Sequence, residues 1–504
     1  MTYRALEERH HRINQLDHAC AILDWDQAVI MPERAGAARA ESLSTLRGLR
    51  HELATEPALA DLLEQGERER ERGKLNEWQV ANLREMARQY RRAVCVPRDL
   101  VEASSRAEAH SEQAWRVLRA QNDWRSFRPY LEEVVSLKRQ TAAALSDVLG
   151  CSGYDALVDG FEPGIGATQI DALFDELRAF LPGFLQQGLE RQRADEVTLP
   201  IGPFDTAAQK ELGRRLMAAV GFDFSIGRLD VSHHPFCGGV PRDVRITTRY
   251  REDDFTSSLM GVLHETGHAK YEQGLPEAWL NQPVGVARGM ATHESQSLFA
   301  EMLIARSPAF LQFAGSFIRD VFPAQAKAQP RAFEARNLYL LSTRIRPGLI
   351  RVDADEVTYP SHVILRYEIE RDLIAGTCKV ADIPERWGVL LQELVGLSCH
   401  GNYKDGCMQD VHWPAGAFGY FPLYTVGALL AAQLHHALTR DIPDLSEQIA
   451  GGQFEALDSW LRERIWTKGS LLNFNDLVIA ATGEQLNPAY FKQHVTRRYL
   501  EQAE

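Results

Sequence analysis

His264-Glu265-Thr266-Gly267-His268 is the run of residues in this chain best suited to chemistry. On a helix, residues four apart share a face, with Cβ atoms roughly 5–6 Å apart. Two imidazoles so placed can reach one zinc ion at about 2.0–2.1 Å each. Glu265 then stands beside the ion, where it can take a proton from an attacking water. This is the working core of a metallohydrolase. Histidine is scarce, 16 in 504 residues, so the pattern is rarely met by chance. The competing reading is a helix with two structural histidines, and context has to decide.

The pattern needs a helix and a third ligand. Asp253, Asp254, Thr256 and Ser257 are N-terminal capping types, and Gly274 followed by Pro276 is a stop. Between them Phe255, Leu259, Val262, Leu263 and Thr266 recur at helical spacing. Gly267 costs the helix up to about 1 kcal/mol relative to alanine, and its small size would let another backbone or a substrate approach closely. A catalytic zinc keeps three protein ligands and one open position. Glu294, in His293-Glu294-Ser295-Gln296, is the candidate third ligand, with His293 as the alternative that spacing leaves open. The 25 residues between His268 and Glu294 suffice to end one helix, cross a loop from Leu275 to Val286 and return antiparallel. A second helix is expected from near Gly289 to about Arg306.

Other elements must hold these two helices. Asp243-Val244-Arg245-Ile246-Thr247-Thr248-Arg249-Tyr250 alternates Val, Ile, Thr and Tyr with charge, the pattern of a half-exposed strand, and Gly238-Gly239 predicts a hairpin or bulge before it. A strand beside a zinc cleft can bind an extended peptide by backbone pairing. The first 220 residues read as helical almost throughout. Ser126 to Leu149 is the best example, closed by Gly150, and the chain after Arg306 is helical again. Glu67 to Arg72 alternates charge and reads as a solvated face. One mostly helical peptidase domain over residues 1–504 is expected. Within it, residues 1–220 are placed to cover a groove, and residues 221–504 carry the strand element, the zinc site and the substrate motifs.

Composition bounds the function. A net charge of −13 argues against generic nucleic-acid or anionic-membrane binding. The apolar stretch Val426 to Leu434 is too short to span a bilayer, and Met1 to Asp26 lacks the apolar core of a signal peptide. Seven cysteines at irregular spacing read as reduced thiols of a cytoplasmic protein. Cys399, His400, Cys407 and His412 do not fit a zinc-finger or ribbon spacing, and Asp410-Val411-His412-Trp413 is better suited to a supporting role.

With these residues in view, the chain resembles the carboxypeptidase Taq family of metallocarboxypeptidases from end to end. Trp25-Asp26-Gln27 through Met31-Pro32 resembles a family segment, and Asp243 to Thr247 matches D-x-R-x-T. His264 to His268 is the zinc motif, and His293 to Gln296 matches H-E-S-Q. Ile350 to Asp355 matches I-R-x-x-A-D, and Gly419 to Tyr424 matches G-Y-F-P-T-Y, with Leu423 in place of Thr. Relatives often continue H-E-S-Q-S with Arg and Trp, where this chain has Leu298-Phe299-Ala300. The resemblance implies an all-α gluzincin-type fold with a deep central groove and a small β element, a homodimer, and zinc or in some members cobalt. It also implies removal of single residues from the free C-termini of peptides with broad tolerance.

Roles then follow. Glu265 is the expected general base and proton donor. Tyr420 is the first choice for the oxyanion donor and Tyr424 the second, the resemblance placing both near the site. Arg351 is the candidate reader of the terminal carboxylate, because a guanidinium can grip it bidentately. Asp243 and Arg245 either contact substrate or pair with each other. His234, or its neighbour His233, either lines the cleft or is structural.

Overall fold

The computed structural model describes residues 2–501. Six helices open the chain: α1 Thr2–Val29, α2 Gly36–Thr55, α3 Ala58–Glu71, α4 Glu77–Cys95, α5 Arg98–Ala120 and α6 Trp124–Leu149. The helix expected from Ser126 is α6. Asp123 caps it by accepting from the Ser126 N–H, and Gly150 ends it with a left-handed backbone, φ 68°. Prolines at 323, 360, 384 and 422 open later helices, because the first turn needs no proline N–H. The architecture is all-α with one small sheet.

Three hydrophobic clusters organise the packing. The largest draws buried side chains from Ala107 to Tyr499. A second joins Leu229, Val244 and Ile246 of the sheet to Val262 and Ala269 of the helix Phe255–Gly274. A third lies between α1, α3 and α4, where Tyr3, Leu6, Leu59, Leu63, Leu83 and Met86 meet.

The sheet consists of β1 Gly227–Val231, β2 Phe236–Val240 and β3 Asp243–Thr248, in the order β1-β3-β2. β1 runs parallel to β3 and β2 antiparallel. The strand expected through Tyr250 ends two residues earlier. The expected hairpin exists, but Gly238 and Gly239 lie within β2, paired with Arg245 and Val244, and the chain turns after Val240. Gly239 has φ +84°, and a Cβ there would lie 2.0 Å from the Asp243 carbonyl oxygen, so only glycine fits. Successive strand residues face opposite sides. Val244 and Ile246 therefore pack on the helix that carries the HExxH motif, while Asp243 and Arg245 face the other way.

Candidate metal centre

The metal helix is Phe255–Gly274. Asp254 caps it, its carboxylate accepting from the Thr256 and Ser257 N–H groups. The second helix begins at Met290, but it is α-helical only to Leu298; Phe299–Ala305 continues as a π-helix. Its N-terminus has no local cap. Glu162, from a distant loop, supplies one: its fully buried carboxylate accepts from the Thr292 N–H at 2.9 Å. Burial pushes Glu162 up to about 7.

Two glycines let the second helix reach the first. A Cβ on Gly267 would lie 2.4 Å from the Gln296 carbonyl oxygen and 2.7 Å from Ser297 Cα. The small residue inside the HExxH motif therefore admits another backbone. On the other side Gly427, in the helix Pro422–Asp441, would place a Cβ 3.0 Å from Glu294 Cβ. The Glu294 helix is gripped between these two positions. Ala300 also lies against Gly267.

This grip brings ligand atoms of His264, His268 and Glu294 within 4.8 Å of one another. Each imidazole is also oriented from behind. His264 Nδ1–H donates to Glu301 Oε2 at 2.9 Å, and Arg306 donates to Glu301 Oε1 at 2.5 Å. His268 Nε2 lies 3.4 Å from Glu294 Oε2, while its Nδ1 meets His293 Nδ1 at 2.6 Å and His293 Nε2–H donates to Glu272 at 2.8 Å. In this arrangement His293 is a partner of the ligand His268 and Glu294 faces the shared space, which is how histidine ligands are fixed in one tautomer. Charge completes the fit to a cation. Burial would push His264 down, but Glu301, Glu294 and Glu265 outweigh it and lift it to about 10. Burial and Glu294 together push Glu265 up to about 7. Glu301 is already answered by Arg306, while the carboxylates of Glu265 and Glu294 converge here, and a divalent cation is the charge that would balance them.

Cys237 of the edge strand β2 packs in the cluster that joins sheet and metal helix, and Glu265 raises its thiol further above the shift that burial causes. Near Glu294, Tyr359, Tyr420 and Tyr424 gather. Tyr420 and Tyr424 have ring centroids 5.2 Å apart, and Tyr359 and Tyr424 6.1 Å. Tyr424 lies one turn before Gly427, the residue against Glu294. Burial raises the hydroxyl of each, and the Glu294 carboxylate raises all three further. His412 Nε2 lies 3.2 Å from the Tyr424 hydroxyl, a supporting position.

The remaining expected site residues divide. Arg351 is buried beside the tyrosines, 5.0 Å over the Tyr424 ring, but its fork is already partly engaged. Nε and Nη2 donate to Asp410 Oδ1 at 3.0 and 2.9 Å, and Nη1 to the Tyr359 hydroxyl at 2.8 Å. Of the five N–H groups of a guanidinium, this leaves one on each terminal nitrogen. Asp410 is shared with Arg366, whose Nε donates to Oδ2 at 2.7 Å. Asp243 and Arg245 do not join the metal ligands: they pair with each other at 2.9 and 2.7 Å, and Arg245 stacks 4.2 Å over Trp25 of α1. His233 and His234 lie in the exposed turn after β1, held through the His234 carbonyl, which accepts from Ser232 Oγ at 2.5 Å. Sequence reasoning missed Glu301, Arg306, Tyr359, Arg366 and Glu162. Glu301 alone had a readable signal, being seven residues from Glu294 and so on the same helical face.

A family model for the carboxypeptidase Taq (M32) metallopeptidases matches residues 5–499. Thermostable carboxypeptidase 1 of Thermus thermophilus is 36% identical over 506 residues, covering 99% of this chain and 98% of that protein. Carboxypeptidase 1 of Bacillus subtilis is 32% identical over 496 residues, covering 97% and 96%. Among solved structures, Trypanosoma cruzi metallocarboxypeptidase 1 matches with a TM-score of 0.96 at 41% identity, over 99% of both chains. The M32 carboxypeptidase of Deinococcus radiodurans matches with a TM-score of 0.93 at 33% identity, again over 99% of both. With a metal-binding geometry and a match over nearly every residue, the chain belongs to the carboxypeptidase Taq (M32) family and is a metallocarboxypeptidase.

Proposed function

We propose that the enzyme is zinc-dependent, with cobalt as an alternative ion, and removes single residues from peptide C-termini with broad side-chain tolerance. The observation that carries this reading is the convergence of His264, His268 and Glu294 beside a buried Glu265. When bound, the ion supplies Lewis acidity, polarising the scissile carbonyl and lowering the pKa of water toward 7. Glu265 takes the proton released as water attacks and returns it to the leaving amine. Tyr420, with Tyr424 as second choice, donates to the developing oxyanion. Arg351 binds the terminal carboxylate through the N–H groups not spent on Asp410 and Tyr359. Asp243 and Arg245 hold α1 to the sheet.

The biological setting belongs to the same proposal. The chain acts in the cytoplasm as a homodimer on short peptides, without nucleic-acid or membrane partners, and its N-terminal helices cover the groove. All seven cysteines are free thiols, which suits a reducing compartment. Among the described residues no helix is long and apolar enough to cross a membrane.

The test is the product pattern on one unstructured peptide of about ten residues, with a free or an amidated C-terminus. Zinc or cobalt should give a ladder losing one residue at a time from the free end only, and chelator should stop it. Glu265→Gln should slow turnover by about 10²- to 10⁴-fold while zinc stays bound. Equal cleavage of the amidated peptide would remove Arg351 from its role. A Glu265→Gln enzyme that works normally would sink the assigned base.

A further inference from the structure

We propose that Arg498, in the C-terminal segment, is a positioning residue for the metal ligand His264, acting through the π-helical turn that carries Glu301. The proposal rests on reading His264, His268 and Glu294 as the metal site.

The two imidazoles are supported differently. His268 is backed by His293 and Glu272, which lie on the two metal-binding helices themselves. His264 is backed by Glu301, which sits where the second helix has left α geometry. A π-turn is rare and is often found at functional sites. It persists only if surrounding contacts favour it over the α register. Arg498 supplies such a contact: its Nη1 donates to the Met302 carbonyl, inside the π-turn and next to Glu301, at 2.6 Å.

Arg498 is itself held firmly. The same Nη1 donates to Glu356 Oε2 at 3.1 Å, and both side chains are buried, 3% and 5% exposed. Glu356 also accepts from the Tyr499 hydroxyl at 3.0 Å and lies 2.9 Å from His494 Nε2. Burial would raise the Glu356 carboxyl, but His494, Arg498 and Arg306 hold it far below the usual range. Arg306 in turn grips the other oxygen of Glu301. A continuous set of buried contacts thus runs from the last turn of the described chain to Nδ1 of His264. Without Arg498 at Met302, the turn can relax toward the α register. Glu301 then swings relative to His264, and the imidazole is no longer fixed with its other nitrogen toward the metal.

The test measures zinc affinity of the metal-free protein by competition with a chromophoric chelator. Three variants are compared with wild type, each checked by its thermal melting in the metal-free form. Glu301→Gln removes the charge on His264. Glu356→Gln/Arg498→Met removes the clamp together with its Glu356 counter-charge. His494→Gln is the control, because it touches Glu356 but not Met302. The first two should lose about 10- to 100-fold in affinity, and the control should stay within about twofold of wild type. The same two variants, loaded with Co²⁺, should show a changed visible spectrum where the control does not. Unchanged affinity in Glu356→Gln/Arg498→Met would overturn the proposal, as would an equal loss in the His494 control, which would mark a general structural effect. A wild-type protein that binds no zinc would overturn the metal site, and the role of Arg498 with it.

Discussion

The metal centre lies against a core that draws side chains from Ala107 to Tyr499, whereas α1 and α3 close on α4 over a cluster of a few residues around Leu6 and Met86. The treatment of charge differs as well. Around the centre Glu301, Arg306, Arg351, Arg366 and Asp410 are buried or nearly so, and each is answered by a specific partner. In the N-terminal helices the ion pairs Arg4–Glu8, Arg68–Glu64 and Arg47–Asp24 stand in solvent. Buried charge is costly unless geometry is fixed around it, so the first region is organised for precision. The second is tied down at its base. Asn82 bonds Tyr3 and Gln282, Trp78 stacks on Trp279, and Glu85 holds Arg288. The ties to Gln282, Trp279 and Arg288 end on the segment that links the two metal-binding helices.

Three changes would break or sharpen that contrast. The largest effect is expected at the joint. Glu85→Gln leaves the Arg288 guanidinium buried without its counter-charge, which costs about 3–5 kcal/mol. Hydrogen exchange should then rise across α1 to α4 while the metal helix keeps its protection; a uniform rise would show one cooperative body instead. The effect depends on pH. Burial pushes the Glu85 carboxyl up, but Arg288, Arg88 and Arg84 outweigh it and hold it at about 2. A depressed carboxyl adds stability above its unfolded value, about 4.3, and loses it as pH falls toward 2. The gap between wild type and variant should therefore narrow as pH drops from 5 to 2.

A middle-sized effect is expected inside the centre. Gly267→Ala puts a methyl 2.4 Å from the Gln296 carbonyl oxygen, so the two metal-binding helices must part. The cost is about 1–3 kcal/mol, and metal affinity should fall with it because Glu294 moves with the helix. An alanine enzyme with normal stability and metal binding would show that the close approach is dispensable. The smallest effect is expected on the N-terminal surface. Arg47→Ala removes a pair whose side chains are 59% and 49% exposed, and stability should change by no more than about 0.5 kcal/mol in chemical denaturation, with turnover untouched.

Much of the centre was legible from local pattern. The caps and the four-residue spacing of the histidines follow from rules that act over one or two helical turns. The π-turn was not legible, because its sequence reads as a continuation of the α-helix. The engagement of Arg351 with Asp410 was hidden too, since residues 59 apart carry no spacing signal. Asp243 and Arg245 alternate as a strand should, but which face of that strand meets the metal helix depends on the packing of Val244 and Ile246.

By itself the sequence pointed to the HExxH pair and the glutamate between its histidines, and it determined the helical character of the chain and, through its ordered motifs, its family. Only the tertiary structure decided that Glu294 and not His293 faces the shared space, that Glu301 orients His264, and that a distant Glu162 caps the second helix. The physical reason is range. Hydrogen-bonded helices and their caps are set by neighbours in the chain, whereas the meeting of two helices is set by what their surfaces allow, here the missing Cβ atoms of Gly267 and Gly427.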